Sequence, residues 1–292
     1  MFKTDLLKGK RILVTGGGTG LGKEMTTAFA RLGADTVIIG RREAVLKETA
    51  KEIEDATGSR CTPIACDIRS AGAIEDMITE VWTAGPLDGL VNNAAGNFIS
   101  RTKDLSPRGF DAIANIVFHG TFYMTLAVGK RWIAEGRKGS IINILTTWVW
   151  NGSPFTVPSA MSKAGIDVMA KSLAVEWGPN GIRLNSICPG AFPTEGMSAR
   201  LNPGAGTKAY SDMSANPMGR VGQMHELCNL ATFLMSDGCD YLTGQTIAID
   251  GAQYQATGGN FSRMASLTDD DWDKIRNTIK ATNDKDKAAR TV

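Results

Sequence analysis

Near the start of the chain, Val14-Thr15-Gly16-Gly17-Gly18-Thr19-Gly20-Leu21-Gly22-Lys23 holds five glycines within seven positions. It follows the apolar run Ile12 to Val14 and opens a helical stretch from Leu21 to Leu32, so the loop sits where a strand hands over to a helix. Glycine permits backbone angles closed to other residues and lets a pyrophosphate come close to the main chain. The free N–H groups and positive dipole of a helix start receive its charge. An isolated GxGxxG match fits an ordinary glycine turn. Here the strand and helix flank it correctly, so Thr15, Gly16, Gly18, Thr19, Gly20, Leu21 and Gly22 are expected to cradle a phosphate. Two further pairs carry chemistry. Ser159 and Lys163 are four residues apart on a helical stretch and share one face, and Asn115 and His119 stand one turn apart on another.

These groups need elements to position them. Thr36 to Ile39 is a short β-branched run suited to a doubly buried parallel strand, and it ends in Gly40-Arg41-Arg42. Dinucleotide sites that prefer NAD put an acid near this point for the ribose 2′-hydroxyl, whereas an arginine pairs with the 2′-phosphate of NADP. With Arg41 and Arg42 there, NADPH is the expected cofactor; the alternative is a solvated charge at a helix start. A polar helix, Glu43 to Thr57, leads to a third strand, Thr62 to Cys66, and Asp67-Ile68 just past its end. Asp67 there either accepts from an adenine amino group or caps the next helix, Ala71 to Thr83. Leu87 to Val91 is a fourth strand running into Asn92-Asn93-Ala94-Ala95-Gly96. From Ser106 a long helix runs to about Glu135. Ile141 to Leu145 follows as strand, then Thr146-Thr147-Trp148-Val149-Trp150. Pro158 starts the helix of Ser159 and Lys163, with Ile166, Met169, Ala170, Leu173 and Trp177 as its apolar stripe. Arg183 to Cys188 leads to Pro189-Gly190 and Thr194; residues 191–222 read as a substrate lid. Glu226 to Met235 is helix and Thr246 to Ile249 strand. A polar C-terminal extension, 252–292, carries a helix start at Leu267 to Asp271, docking residues Trp272, Ile275 and Ile279, and a frayed tail from Asn283. The alternation of strand and helix means one parallel sheet covered on both faces, an α/β fold.

The 292 residues suffice for a substantial core, and a formal charge of +2 implies neither a nucleic-acid nor an anionic-membrane partner. No signal peptide and no apolar run of membrane-spanning length are read, so the expected location is cytoplasmic. The five cysteines form no CxxC pair and are expected to be buried thiols, with no metal site.

With Thr15 to Gly22, Asn92 to Gly96, Lys163 and Pro189-Gly190 in this order and spacing, the chain resembles the short-chain dehydrogenase/reductase family over nearly its whole length. That resemblance implies a single-domain, Rossmann-like, doubly wound sheet of about seven strands. It implies Lys163 on the nicotinamide ribose, and Asn93, Ala94 and Gly96 along the cofactor. It also implies Asp67 with Ile68 at the adenine, and Pro189, Gly190 and Thr194 at the carboxamide end. The family's usual active site is a serine with Tyr-x-x-x-Lys. Counting back from Lys163 puts Ser159 in the tyrosine's place, and spacing puts Thr146 in the serine's. An aliphatic alcohol starts several units above tyrosine's pKa near 10, so Ser159 is a poor acid for making an alcohol from a ketone.

One branch shares this substitution. Thr15 to Lys23, Asn92 to Ser100 and Val157 to Gly165 are similar to 2,4-dienoyl-CoA reductases of the mitochondrial type. The likeness implies reduction of a conjugated acyl-CoA by NADPH, with an asparagine and a tyrosine holding the thioester oxygen. Their positions fall on His119 and within Trp148-Val149-Trp150, while the peroxisomal type's acid falls on Val117. His119 is then either an oxygen-holding group or a helix histidine satisfied by a backbone carbonyl. Trp148 and Trp150 either donate their indole N–H or pack against substrate or lid. Phe98 lies in the matched stretch on the substrate side, and Arg69 and Arg200 fall where CoA is contacted. Association into homotetramers or dimers through the helices of His119 and Lys163 is implied as well.

Overall fold

The computed structural model describes residues 1–194, 216–258, 264 and 266–288. Its strands are β1 (Arg11–Thr15), β2 (Asp35–Gly40), β3 (Cys61–Ala65), β4 (Gly89–Asn92), β5 (Gly139–Ile144), β6 (Ile182–Pro189) and β7 (Thr246–Ile249). They form one seven-stranded sheet in the order β3-β2-β1-β4-β5-β6-β7, parallel throughout. Parallel neighbours need crossover helices on both faces, so the strand interiors are apolar continuously rather than in alternation. Ile12, Leu13, Val14, Val37, Ile38 and Ile39 are all buried.

The helices are α1 (Gly20–Arg31), α2 (Glu43–Thr57), α3 (Ala71–Thr83), α4 (Pro107–Ala114), α5 (Gly120–Ala134), α6 (Trp148–Asn151), α7 (Val157–Trp177), α8 (Met224–Met235), α9 (Gln253–Gly258) and α10 (Asp269–Ala288). One apolar layer joins the sheet to α3, α5 and α7 through Ile78, Met124, Trp132, Ala170 and Trp177. The other joins it to α1 and α8 through Met25, Phe29, Leu227 and Leu234. Strand order reverses between β1 and β4, and the crevice beyond their C-terminal ends is where such sheets bind ligands.

The long helix from 107 to 134 is interrupted. A π-type turn, Asn115–His119, joins α4 to α5, inserting one extra residue per turn that no 3.6-residue pattern reveals. This helix also corrects the expectation that no run reaches membrane-spanning length: Pro107–Ala134 is long and apolar enough by composition, though more than half of it is buried inside the protein. Its apolar face packs on the sheet, which explains the composition. The C-terminal helix likewise extends to Ala288, past the tail expected from Asn283. Thr268 and Asp271 cap its start reciprocally, while Trp272 and Ile279 are exposed and so not docked on the body of this chain. All five cysteines are buried free thiols.

Candidate active site

Thr15 Oγ1 accepts from the backbone N–H of Asn93 (2.9 Å) and of Ala94 (2.8 Å), and Asn93 Nδ2 donates to the Thr15 carbonyl (3.0 Å). The ends of β1 and β4 are thereby fastened together, and the glycine loop is held over the crevice between them. Gly16 sits at φ +66, and a Cβ there would lie 3.1 Å from both Asn93 Nδ2 and the Ala94 Cα. On Gly22 a Cβ would meet Asn93 Nδ2 at 2.6 Å, so neither position has room for a side chain. Gly18 gives its carbonyl to Thr49 Oγ1 (2.8 Å), fixing the loop against α2. A Cβ added at Gly20 would lie 3.5 Å from the Thr194 side chain, so the chain after β6 reaches the same crevice. Leu21 packs into the core beneath.

The start of α1 is built for an anion. Thr19 precedes it with no side-chain cap and no acid occupies its first turn, whereas Ser70 caps α3 and Ser106 caps α4. Uncapped N–H groups at a helix start favour negative charge by their orientation and dipole. These features fit the pyrophosphate of a dinucleotide. At the end of β2, Arg41 and Arg42 are exposed and make no ion pair among the described residues. Arg42 stands at the N-cap of α2, where a cation opposes the helix dipole, so neither charge is placed for helix stability.

Asp67 lies just past β3 as expected, but its carboxylate is taken by Arg69, whose Nε donates to both oxygens at 2.9 Å. That hydrogen bond, reinforced by Arg41, holds the Asp67 carboxyl below its ordinary range. Arg69 and Asp67 are thus paired with each other at the end of β3, both still partly exposed. Ile68 is buried against Gly120.

Lys163 is buried on α7, its ammonium donating to the carbonyls of Ile144 (2.6 Å) and Leu145 (3.3 Å) at the end of β5. Burial pulls it down to about 8, and no carboxylate counters the loss of water. Behind it the Cys188 thiol is pushed up to about 12, again by burial, and stays neutral. One turn before Lys163, Ser159 is 2 % exposed and its hydroxyl makes no hydrogen bond to the described residues. Among those residues no tyrosine hydroxyl bonds to Lys163. Thr146 is half-buried after β5, its N–H directed to Cys188.

At the ends of β5 and β6, Ile113, Val117, Leu145, Ile166 and Cys188 form a buried apolar floor with Phe98 and Val149 against it. Gly96 packs over Ile113 and Ile116. Val117, at the position of the peroxisomal acid, is buried in that floor. His119 is exposed, its Nδ1 3.0 Å from Asn115 Oδ1 and its ring beside Phe118 and Tyr123. Its described partner is thus a side-chain amide within its own helix rather than a carbonyl of the backbone. Trp148 is half-buried in α6, and Trp150 stacks on Tyr254 with ring centroids 4.5 Å apart. Gly190 packs against Asp250, beyond Pro189. Arg200 and most of the expected lid lie outside the described residues. The sequence reading missed Asp250 and Tyr254. Asp250-Gly251 at a strand's C-terminal edge repeats the placement of Asp67, and that is the signal that was available.

Residues 16–252 match the protein family described as enoyl-(acyl carrier protein) reductase. A Caenorhabditis elegans protein named "Probable 2,4-dienoyl-CoA reductase 3 [(3E)-enoyl-CoA-producing]" is 41 % identical, the match covering 98 % of this chain and 94 % of that one. A Bacillus subtilis protein named "Probable 2,4-dienoyl-CoA reductase [(2E)-enoyl-CoA-producing]" is 40 % identical over 84 % of this chain and 96 % of its own. Among solved structures, a short chain dehydrogenase from Bacillus anthracis superposes with TM-score 0.77 at 40 % identity, covering 85 % of this chain and 98 % of its own. A gluconate 5-dehydrogenase from Burkholderia cenocepacia, in complex with NADP and tartrate, gives TM-score 0.79 at 31 % identity over 86 % and 98 %. The parallel sheet, the uncapped glycine loop and the buried lysine agree with these likenesses, and the chain belongs to the short-chain dehydrogenase/reductase family of oxidoreductases.

Proposed function

We propose that this protein is an NADPH-dependent reductase of conjugated carbon–carbon double bonds in acyl-CoA thioesters, a dienoyl- or enoyl-CoA reductase of fatty-acid metabolism. The observation that carries the reading is Ser159, buried with a free hydroxyl one turn before Lys163, where the family's carbonyl reducers hold a tyrosine. Reducing a ketone needs a strong acid at that point. Reducing a conjugated thioester instead gathers negative charge on the thioester oxygen, which neutral hydrogen-bond donors can stabilise. Bound in the crevice, NADPH would supply the hydride. The Ser159 and Thr146 hydroxyls and the Trp148 indole N–H are the donors available to the oxygen. Lys163 would hold the nicotinamide ribose and, protonated near neutral pH, back Ser159 in returning a proton from water. The apolar floor around Val117 suits a hydrocarbon chain and offers no acid. Likeness to proteins named as dienoyl-CoA reductases, over most of the chain, supports the same substrate class.

The test is NADPH with a 2,4-dienoyl-CoA, a 2-enoyl-CoA or a 3-ketoacyl-CoA, following absorbance of the reduced nicotinamide. Consumption with the dienoyl or enoyl ester is expected. Consumption with the ketoacyl ester alone would mark a carbonyl reductase, and none at all would mark a protein that holds cofactor without turnover.

Self-association belongs to the same reading. Phe118 in the π-type turn, Phe122 on α5, and Met161, Val168 and Val175 on α7 are all exposed, the last three at seven-residue spacing. A second copy across a two-fold axis would cover both faces. Light scattering is expected to give at least a dimer mass, and Val168→Lys to lower it; a wild-type monomer would remove this part.

A further inference from the structure

We propose that Trp150 and Tyr254 form an aromatic arch that sets which acyl-chain lengths the site accepts; the inference rests on the acyl-thioester reading above. The two rings stack with centroids 4.5 Å apart and planes 22° from parallel. Trp150 belongs to α6, just after β5, and Tyr254 to α9, just after β7. In the sheet β6 lies between those strands, so the stack spans the C-terminal end of β6, where Pro189-Gly190 leads toward Thr194. It therefore crosses one side of the mouth above the apolar floor.

Tyr254 is held in place by a buried group. The Asp250 carboxylate, 8 % exposed, accepts from the N–H of Ala252 (3.0 Å) and of Tyr254 (2.9 Å). The turn between them runs through Gly251 at φ +63 and Ala252 at φ +65, a conformation that alanine adopts at a cost of about 1 kcal/mol. The Asp250 carbonyl also accepts from Asn216 Nδ2 (3.0 Å), and its Cβ leaves no room for a side chain on Gly190. The arch is thus anchored to the same strand ends that form the crevice. Trp150 nevertheless remains 41 % exposed, a large aromatic surface left uncovered beside the floor. In the segment that leads from α6 to α7, the Phe155 carbonyl accepts from Ser100 N–H (2.9 Å), with Phe155 at φ +64, so the connection that carries Trp150 is itself tied down. Both ends of the stack are therefore fixed, and a rigid aromatic bar so held is a stop for a linear hydrocarbon.

The experiment is isothermal titration of hexanoyl-CoA and tetradecanoyl-CoA into the full-length protein saturated with NADPH. Tyr254→Ala is expected to move the affinity ratio toward the longer ester by at least about tenfold. Trp150→Leu should give the same shift, and the double variant no more than either single one, because both remove one contact. Tyr254→Phe should keep the wild-type ratio, since the ring and not the hydroxyl makes the stack. A ratio within about twofold of wild type in both Tyr254→Ala and Trp150→Leu would sink the arch and leave the acyl-thioester reading standing. A shift in Tyr254→Phe as large as in Tyr254→Ala would also overturn it. No binding of either ester to the wild type would remove both proposals together.

Discussion

Replacing Lys163 by methionine is expected to make the cofactor-free protein more stable and to abolish most of its turnover. The ammonium is buried with only two carbonyl acceptors, those of Ile144 and Leu145, and its pKa falls from 10.5 to about 8. At about 1.36 kcal/mol per unit, that gap is a folding cost of about 3 kcal/mol. Below pH 8 the lysine is protonated in both folded and unfolded chains, so the cost is present in full. Between about 8 and 10.5 the folded protein gives up the proton first, and the cost declines as pH rises. Methionine removes the charge but strands two carbonyls, each worth about 1 kcal/mol, so the net gain near pH 7 is about 1 to 2 kcal/mol. Urea unfolding of both proteins near pH 7 and near pH 10 should show the variant ahead at the lower pH and behind at the higher, where little of the charge cost is left to offset the stranded carbonyls. A variant less stable at both would mean that the ammonium is not uncompensated. Turnover should fall by about a hundredfold or more, and wild-type kcat/KM should decline above pH 8 as the ammonium is lost.

The parts of this molecule that could be seen in its sequence are those governed by neighbours along the chain. Thr36 to Ile39 shows a doubly buried strand because a parallel sheet needs no polar face, and the glycines of 16–22 show their loop because few other residues fit it. Thr246–Ile249 has the bounds that its β-branched run suggests. The C-terminal helix was seen to start but not to reach Ala288, since a polar helix without an apolar partner has no periodic signal to follow. His119 and Arg69 are instructive in another way. Both have partners close in sequence, Asn115 and Asp67, and Asp67 is itself a candidate for the adenine. Spacing alone cannot decide whether a polar pair serves itself or a ligand. The Trp150–Tyr254 stack joins residues 104 positions apart, and only the order β5-β6-β7 brings them together. Ser159, by contrast, was legible and decisive at once, because its helix fixes it relative to Lys163.

Exchanging Arg41 for aspartate is expected to reverse the choice between NADPH and NADH. The two arginines after β2 are exposed and unpaired among the described residues, and Arg42 sits against the helix dipole, so their charge is poorly used by the fold itself. Arg41 already acts electrostatically on Asp67, which locates it beside the end of β3, where the family resemblance puts the adenine. A 2′-phosphate there would gain a charge-assisted hydrogen bond worth about 1.5 to 3 kcal/mol, so Arg41→Ala should lower kcat/KM for NADPH by about ten- to a hundredfold and leave NADH nearly unaffected. Aspartate goes further, repelling the phosphate and accepting from the free 2′-hydroxyl of NADH, so the ratio of the two kcat/KM values should fall by about a thousandfold. The substitution lies outside the core and precedes a helix start that favours negative charge, so the thermal midpoint should hold or rise slightly. A lost NADPH activity with an intact fold is then a statement about phosphate recognition alone. Steady-state rates with both cofactors on one acyl-CoA ester decide the matter: a wild-type enzyme that uses NADH as well as NADPH, or a variant whose ratio does not move, would show that this charge faces only water.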